Sequence, residues 1–210
     1  MSNRIRIAAL LLAAATISLA GCATPRADAP ASAPTASAPR LGEVEPAPPE
    51  GEVTAQGTVL DQDGSVELCL GAIAESYPPQ CSGIALDGWN WEEVDGEETA
   101  SAITWGAYAV TGTFDGSTFT VTQPAILLAL YDPMRPEDPT GGEPGRTSES
   151  TLIEIQDELL TRLGPDLLSS WPERGYLWIQ VLWDDGTLQE AADAEFGDDV
   201  IVVQSALRQF

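Results

Sequence analysis

The chain carries 33 acidic residues and nine arginines, with no lysine and no histidine, so any chemistry it performs falls to carboxylates, hydroxyls and three cysteines. Without His there is no Ser-His-Asp or Cys-His pair and no imidazole zinc site. Without Lys there is no Walker phosphate loop, Schiff-base amine or Ser-Lys dyad. Neither a G-x-S-x-G elbow nor a G-x-G-x-x-G turn occurs. A carboxylate pair remains the one familiar hydrolytic device, able to cleave glycosides as acid and as nucleophile or base. No pair stands out, because the acids are spread over loops and turns, where solvation explains them, and catalysis is not expected.

Carboxylates also bind calcium, which takes six to eight oxygens. Candidates are Asp61, Asp63 and Glu67, and separately Asp184 with Asp185. The first group starts like an EF-hand loop but lacks its third acid, its sixth-position Gly and its terminal Glu in register. Turn chemistry accounts for Asp63, and helix capping or dipole effects for Asp185. No metal and no cofactor is expected. The net charge of −24 should repel nucleic acid and anionic lipid headgroups. The same bias accompanies GC-rich or salt-adapted genomes, so it does not by itself specify a cationic partner.

The first of the three cysteines lies behind a targeting segment. Arg4 and Arg6 precede an uncharged apolar run from Ile7 to Ala20, the layout of a signal peptide. That run is too short for a permanent span, which needs about 20 apolar residues. It ends in Leu19, Ala20, Gly21 and Cys22, which resembles the lipobox of bacterial lipoproteins at all four positions. The resemblance implies cleavage before Cys22, a diacylglyceryl group on its thiol, and an anchor on the extracytoplasmic face of the cell membrane. Two acyl chains hold stably where one is marginal. The alternative is an ordinary secretory site that releases a soluble protein. With Cys22 lipidated, Cys69 and Cys81 form an even pair in an oxidising compartment, and a disulfide is the economical reading. Their spacing is far from CxxC, which argues against a redox or metal pair.

The elements that must position these residues divide the chain into a signal peptide (1–21), a lipidated Cys with a Pro/Ala-rich tether (22–50), a β unit (51–131), a Pro/Gly-rich linker (132–149) and an α/β unit (150–210). The tether lacks the apolar content to form a core and, extended, would reach roughly 80 Å. In the β unit, runs at Gly57–Leu60, Val66–Leu70, Ala107–Phe114 and Ser117–Gln123 read as antiparallel strands, with Asp63-Gly64 and Asp115-Gly116 as hairpin turns. Trp89, Trp91 and Trp105 flank the acidic stretch EEVDGEE, expected to be solvated loop. They could form a sugar or peptide platform, although such Trp residues more often cap a small core.

In the α/β unit, Thr151 with Glu154 has capping-box spacing, and Leu152, Ile155, Leu159 and Leu163 share a stripe that Gly164 and Pro165 end. Tyr176–Trp183 reads as a central strand buried on both faces. A short helix with Thr187 and Glu190 at capping-box spacing, closed by Phe196-Gly197, leads to a last strand at Val200–Ala206. This pattern predicts a parallel crossover, with an antiparallel return left open.

The lipobox, the ELCLG-to-Cys81 pair, the YAVTGTFDG hairpin and the closing GYLWIQVLWDDGTLQEAADAEFG together resemble uncharacterised actinobacterial lipoproteins. That resemblance implies a host group and no activity. The expected fold is α+β: a small antiparallel β unit, OB-like by analogy, followed by an α-β-α-β unit. The expected role is a membrane-anchored binding or accessory protein with an unidentified protein or carbohydrate ligand. A calcium-stabilised structural protein and a carboxylate glycosidase are the alternatives.

Overall fold

The computed structural model describes residues 39–132, 135–136 and 138–209; the expected signal peptide and Cys22 lie outside the described residues. Seven strands come first: β1 (Val53–Gln62), β2 (Ser65–Cys69), β3 (Ile84–Asp87), β4 (Glu98–Ala100), β5 (Ile103–Phe114), β6 (Thr118–Val121) and β7 (Ile126–Leu127). β1, β2 and β3 pair antiparallel in sequence, β3 pairs parallel with β6, β6 antiparallel with β5, and β5 antiparallel with β1. The sheet thus closes on itself as a five-stranded, OB-like barrel. Closure leaves the five strands no free edge.

Sequence accounts for this closure at identifiable points. Asp63 and Gly64 both take positive φ, 56° and 86°, which suits the tight β1–β2 turn, and Asp61 Oδ1 accepts from Gly64 N at 2.8 Å. The β5–β6 turn uses Gly116 at φ 100°, with Asp115 Oδ1 accepting from the Ser117 and Thr118 amides. Gly112 permits close strand approach, since a Cβ there would stand 2.0 Å from Thr120 O. Alternate residues Val53, Ala55 and Val59 point inward with Tyr108, Val110 and Phe119, all at most 1 % exposed except where Phe114 and Leu86 fill the ends at 5 %. The expected hairpins are both present; β1 and β5 run longer than expected, whereas β6 is shorter. The acidic stretch is not all loop: Trp91–Glu93 forms a 3-10 turn, and β4 includes Glu98.

The second region contains α1 (Glu149–Leu163), β8 (Leu167–Glu173), β9 (Tyr176–Val181), α2 (Thr187–Phe196), β10 (Ile201–Ser205) and β11 (Arg208–Gln209). β9 lies centrally, antiparallel to β8 and parallel to β10, so the crossover is parallel and the antiparallel return is excluded. The region is α-β-β-α-β, because β8 adds a strand between α1 and the central one. Leu152, Leu159 and Leu163 of α1 pack with Leu177, Ile179, Val181, Leu188 and Ile201. Each fully buried Leu or Ile contributes about 1.5–3 kcal/mol. β11 leaves this region to pair with β1 of the barrel.

Two helix starts differ from their capping-box expectation. Ser148, not Thr151, caps α1, its side chain accepting from Thr151 N. α2 begins behind Gly186 with no side-chain cap from that residue; instead Asp184 accepts from Leu188 N and Gln189 N, and Asp185 from Thr187 N.

The tether ends earlier than expected. Leu41 is fully buried against the α1 core. Arg40 bonds Glu195 through Nε at 2.9 Å and Nη2 at 2.7 Å. Further on, Ala47 N donates to Asp185 at 3.0 Å, and Trp183 Nε1 donates to Ala47 O at 2.8 Å. Residues 40–48 are therefore a strap across the helix-strand region. The linker is held too, by Gly145 N to Arg174 O at 2.8 Å and by an Asp138–Arg174 ion pair at 3.0 Å.

Candidate ligand-binding site on the barrel

Where β3 leaves the barrel, the chain runs through Gly88 to Asn90 and the 3-10 turn, carrying two indoles onto the Tyr108 ring. Trp89 meets Trp91 edge-on at 5.2 Å between centroids and Tyr108 at 5.0 Å, and Trp91 lies 6.3 Å from Tyr108. Trp91 Nε1 donates to Asp61 Oδ2 at 3.0 Å, tying this cluster to the first hairpin. Tyr108 donates its hydroxyl to Asp95 O at 3.2 Å. Burial raises the Tyr108 phenol above its ordinary pKa, and the nearby Glu97 and Asp95 carboxylates push the same way.

Beside Trp89 opens a cavity of about 210 Å³, whose polar lining comes from Asn90, Glu93, Thr122 and Gln123 and whose apolar lining includes Val94 and Pro124. All four polar side chains are braced. Asn90 Nδ2 donates to Glu93 Oε1 at 2.8 Å, Gln123 Nε2 donates to Glu52 Oε2 at 2.8 Å, and the Thr122 hydroxyl bonds the same Glu52. Trp89 Nε1 is buried without a hydrogen-bond partner among the described residues. An aromatic wall with pre-positioned amide and carboxylate groups suits a small polar ligand with an apolar face, such as one sugar ring or one peptide side chain.

The three tryptophans do not converge. Trp89 and Trp91 cap the Tyr108 end of the barrel core. Trp105 is buried elsewhere, with Leu60 and Cys69, beside Tyr77 at 5.2 Å. Only Trp89 of the three lines the cavity. Cys69 and Cys81 are bonded, with Cα atoms 6.2 Å apart, which fits disulfide geometry; the bridge fastens the end of β2 to the segment that precedes β3.

The candidate calcium carboxylates serve local structure. Asp61 is shared between Gly64 N and Trp91 Nε1, Glu67 accepts from Gly83 N at 3.1 Å, and Asp184 and Asp185 receive the α2 amides. Among the described residues no group of three or more acids or cysteines is arranged to hold a metal ion. The cavity beside Trp89 has one carboxylate, Glu93, in its lining, whereas glycoside cleavage needs two.

Sequence reasoning missed Tyr108, Asn90, Glu93, Thr122 and Gln123 as site residues. Tyr108 was visible as an inward position of the alternating AYAVTGTF strand. The others sit in connections that only barrel closure brings together. Among the described residues no helix is long and apolar enough to cross a membrane. Comparison with known proteins finds no matching family model, no matching curated relative and no matching solved structure.

Proposed function

We propose that this chain is a surface-exposed lipoprotein, held to the extracytoplasmic face of the cell membrane by lipid on Cys22, that acts without catalysis as a binding or accessory protein. The observation that carries the anchor is the Leu19-Ala20-Gly21-Cys22 box directly behind an uncharged apolar run. Among the described residues Arg40 and Leu41 already belong to the packed fold, so the Pro/Ala-rich spacer between lipid and protein is at most residues 23–39. The binding role rests on the braced cavity beside Trp89, and the ligand class is a carbohydrate or peptide group without net negative charge.

Nucleic acid is not the partner, although OB-like barrels often bind it. Between residues 51 and 131 every charged side chain is acidic, and phosphate binding depends on Lys and Arg. The test is a glycan and peptide array probed with the exported protein and with Trp89→Ala, scored beside membrane fractionation of Cys22→Ala. The proposal requires array signals that Trp89→Ala abolishes and a Cys22→Ala protein that leaves the membrane fraction. Signals unaffected by Trp89→Ala would remove the binding site, and membrane retention of Cys22→Ala would remove the anchor.

A further inference from the structure

A second cavity, separate from the Trp89 site, lies where the strap crosses between barrel and helix-strand region. It has a volume of about 490 Å³, within the range of small-molecule sites. One wall is the strap, through Val44 and Pro46; the floor is apolar, from Phe114, Leu163, Val181 and Leu188. Those four floor side chains are each no more than 8 % exposed, so they are fixed by the two cores rather than free to collapse into the space. The strap is fixed as well, by the buried Leu41 on one side and by the Ala47 bonds to Trp183 and Asp185 on the other. The groove is therefore preformed, which lowers the ordering cost of filling it.

Its charge is one-sided. Glu45, Asp115 and Asp166 stand around this apolar floor, and no arginine lines it. Glu45 and Asp166 make no hydrogen bond or ion pair among the described residues, whereas Arg40, Arg162 and Arg174 are each committed to other acids. A neutral apolar molecule would fill the floor and gain nothing from the exposed rim carboxylates, and an anion would be repelled by them. A molecule with an apolar body and one positive group satisfies both features.

We infer that this groove is a binding site for a small hydrophobic amine, its apolar part on Phe114, Leu163 and Leu188 and its ammonium at the Glu45 and Asp166 carboxylates. The rim is exposed, so the electrostatic preference is moderate and falls with salt.

The experiment is calorimetric and NMR titration of the whole exported chain with 2-phenylethylammonium, and in parallel with neutral 2-phenylethanol. Protein-free buffer or nanodiscs serve as the blank. Saturable one-to-one binding of the cation is expected, about tenfold tighter than that of the neutral analogue at low salt, with contacts to Phe114. In Glu45→Gln/Asp166→Asn, both exposed positions, the cation's advantage should shrink to about threefold or less, with an unchanged melting midpoint. Absence of saturable binding up to about 10 mM, equal binding of cation and alcohol, or a double variant that keeps the full preference would each overturn the inference. The Trp89 site is unaffected by any of these results, because the two cavities share no lining residue.

Discussion

The barrel and the helix-strand region solve the same problem, holding an acidic chain together, with different means. Residues 51–131 contain no basic side chain, and all the ion pairs among the described residues lie outside the barrel, at the strap, the linker, α1 and α2. The barrel relies on closure, a buried apolar core and a disulfide, and uses its acids as turn acceptors at Asp61 and Asp115. The other region has a three-stranded sheet with two open edges, so its irregular segments are pinned by charge. Glu195 is the centre of this arrangement: Arg162 Nη1 at 2.7 Å, Arg40 and Leu41 N all donate to it. Reduction should therefore act on the barrel and acid chiefly on the other region, while core truncation costs both.

The largest effect expected is that of core truncation. Phe119→Ala, at a fully buried barrel position, should cost about 3–5 kcal/mol, and Leu159→Ala in α1 about 2–5 kcal/mol. Denaturant titration gives the totals. Hydrogen exchange then sharpens the comparison: if each variant weakens protection only in its own region, the two fold as separate units, and if both weaken protection everywhere they are one cooperative unit.

Next in size is the disulfide. Replacing Cys69 and Cys81 by Ser removes a cross-link 12 residues apart in sequence, and the chain-entropy account puts the loss at about 3 kcal/mol. The loss should appear as faster exchange in β2 and β3, with α1 and α2 unaffected. A reduced protein with an unchanged melting midpoint would show that closure alone holds the barrel.

Both hairpins and the central strand are legible in the sequence, because Asp-Gly turns and the run YLWIQV state their conformations locally. The glycine stop at 164 was legible for the same reason. β8 was not, since LLSSWPE alternates poorly and contains a proline; it is a strand because β9 offers it a partner. Leu41 was hidden for a similar reason: one apolar residue in a Pro/Ala-rich stretch has no periodicity, and its pocket is built by helices more than a hundred residues later. The long β1–β5 pairing, which closes the barrel, and the parallel β3–β6 pairing, which brings Gln123 near Asn90, are likewise properties of topology that no local pattern records. The site was legible only as tryptophan content, and of three tryptophans one reached the cavity.

A smaller effect separates the regions by pH. Burial pushes the Glu195 carboxyl up, but the hydrogen bonds from Arg162, Arg40 and Leu41 N outweigh it and hold it below its ordinary value of 4.5. A depressed carboxyl contributes stability that is present above its unfolded pKa and is lost as pH falls through the lower folded value. Acid titration below about pH 4.5 should therefore loosen the strap, read as exchange at residues 40–48. Glu195→Gln should cost about 1–3 kcal/mol at neutral pH and flatten that acid limb, while leaving barrel protection unchanged.

The smallest response expected is to calcium. Millimolar calcium should raise the melting midpoint no more than sodium chloride of equal ionic strength, since both act by screening self-repulsion. A saturating, calcium-specific rise of several degrees, abolished by Asp61→Ala, would instead reveal a site binding the native state.

The lipid anchor is read from the intact mass of the N-terminal peptide of the protein recovered from an exporting bacterial host. The expected chain begins at Cys22 and carries the added mass of a thioether-linked diacylglyceryl group, absent from Cys22→Ala. A mature chain that begins elsewhere, or one that begins at Cys22 with an unmodified thiol, would contradict the anchor.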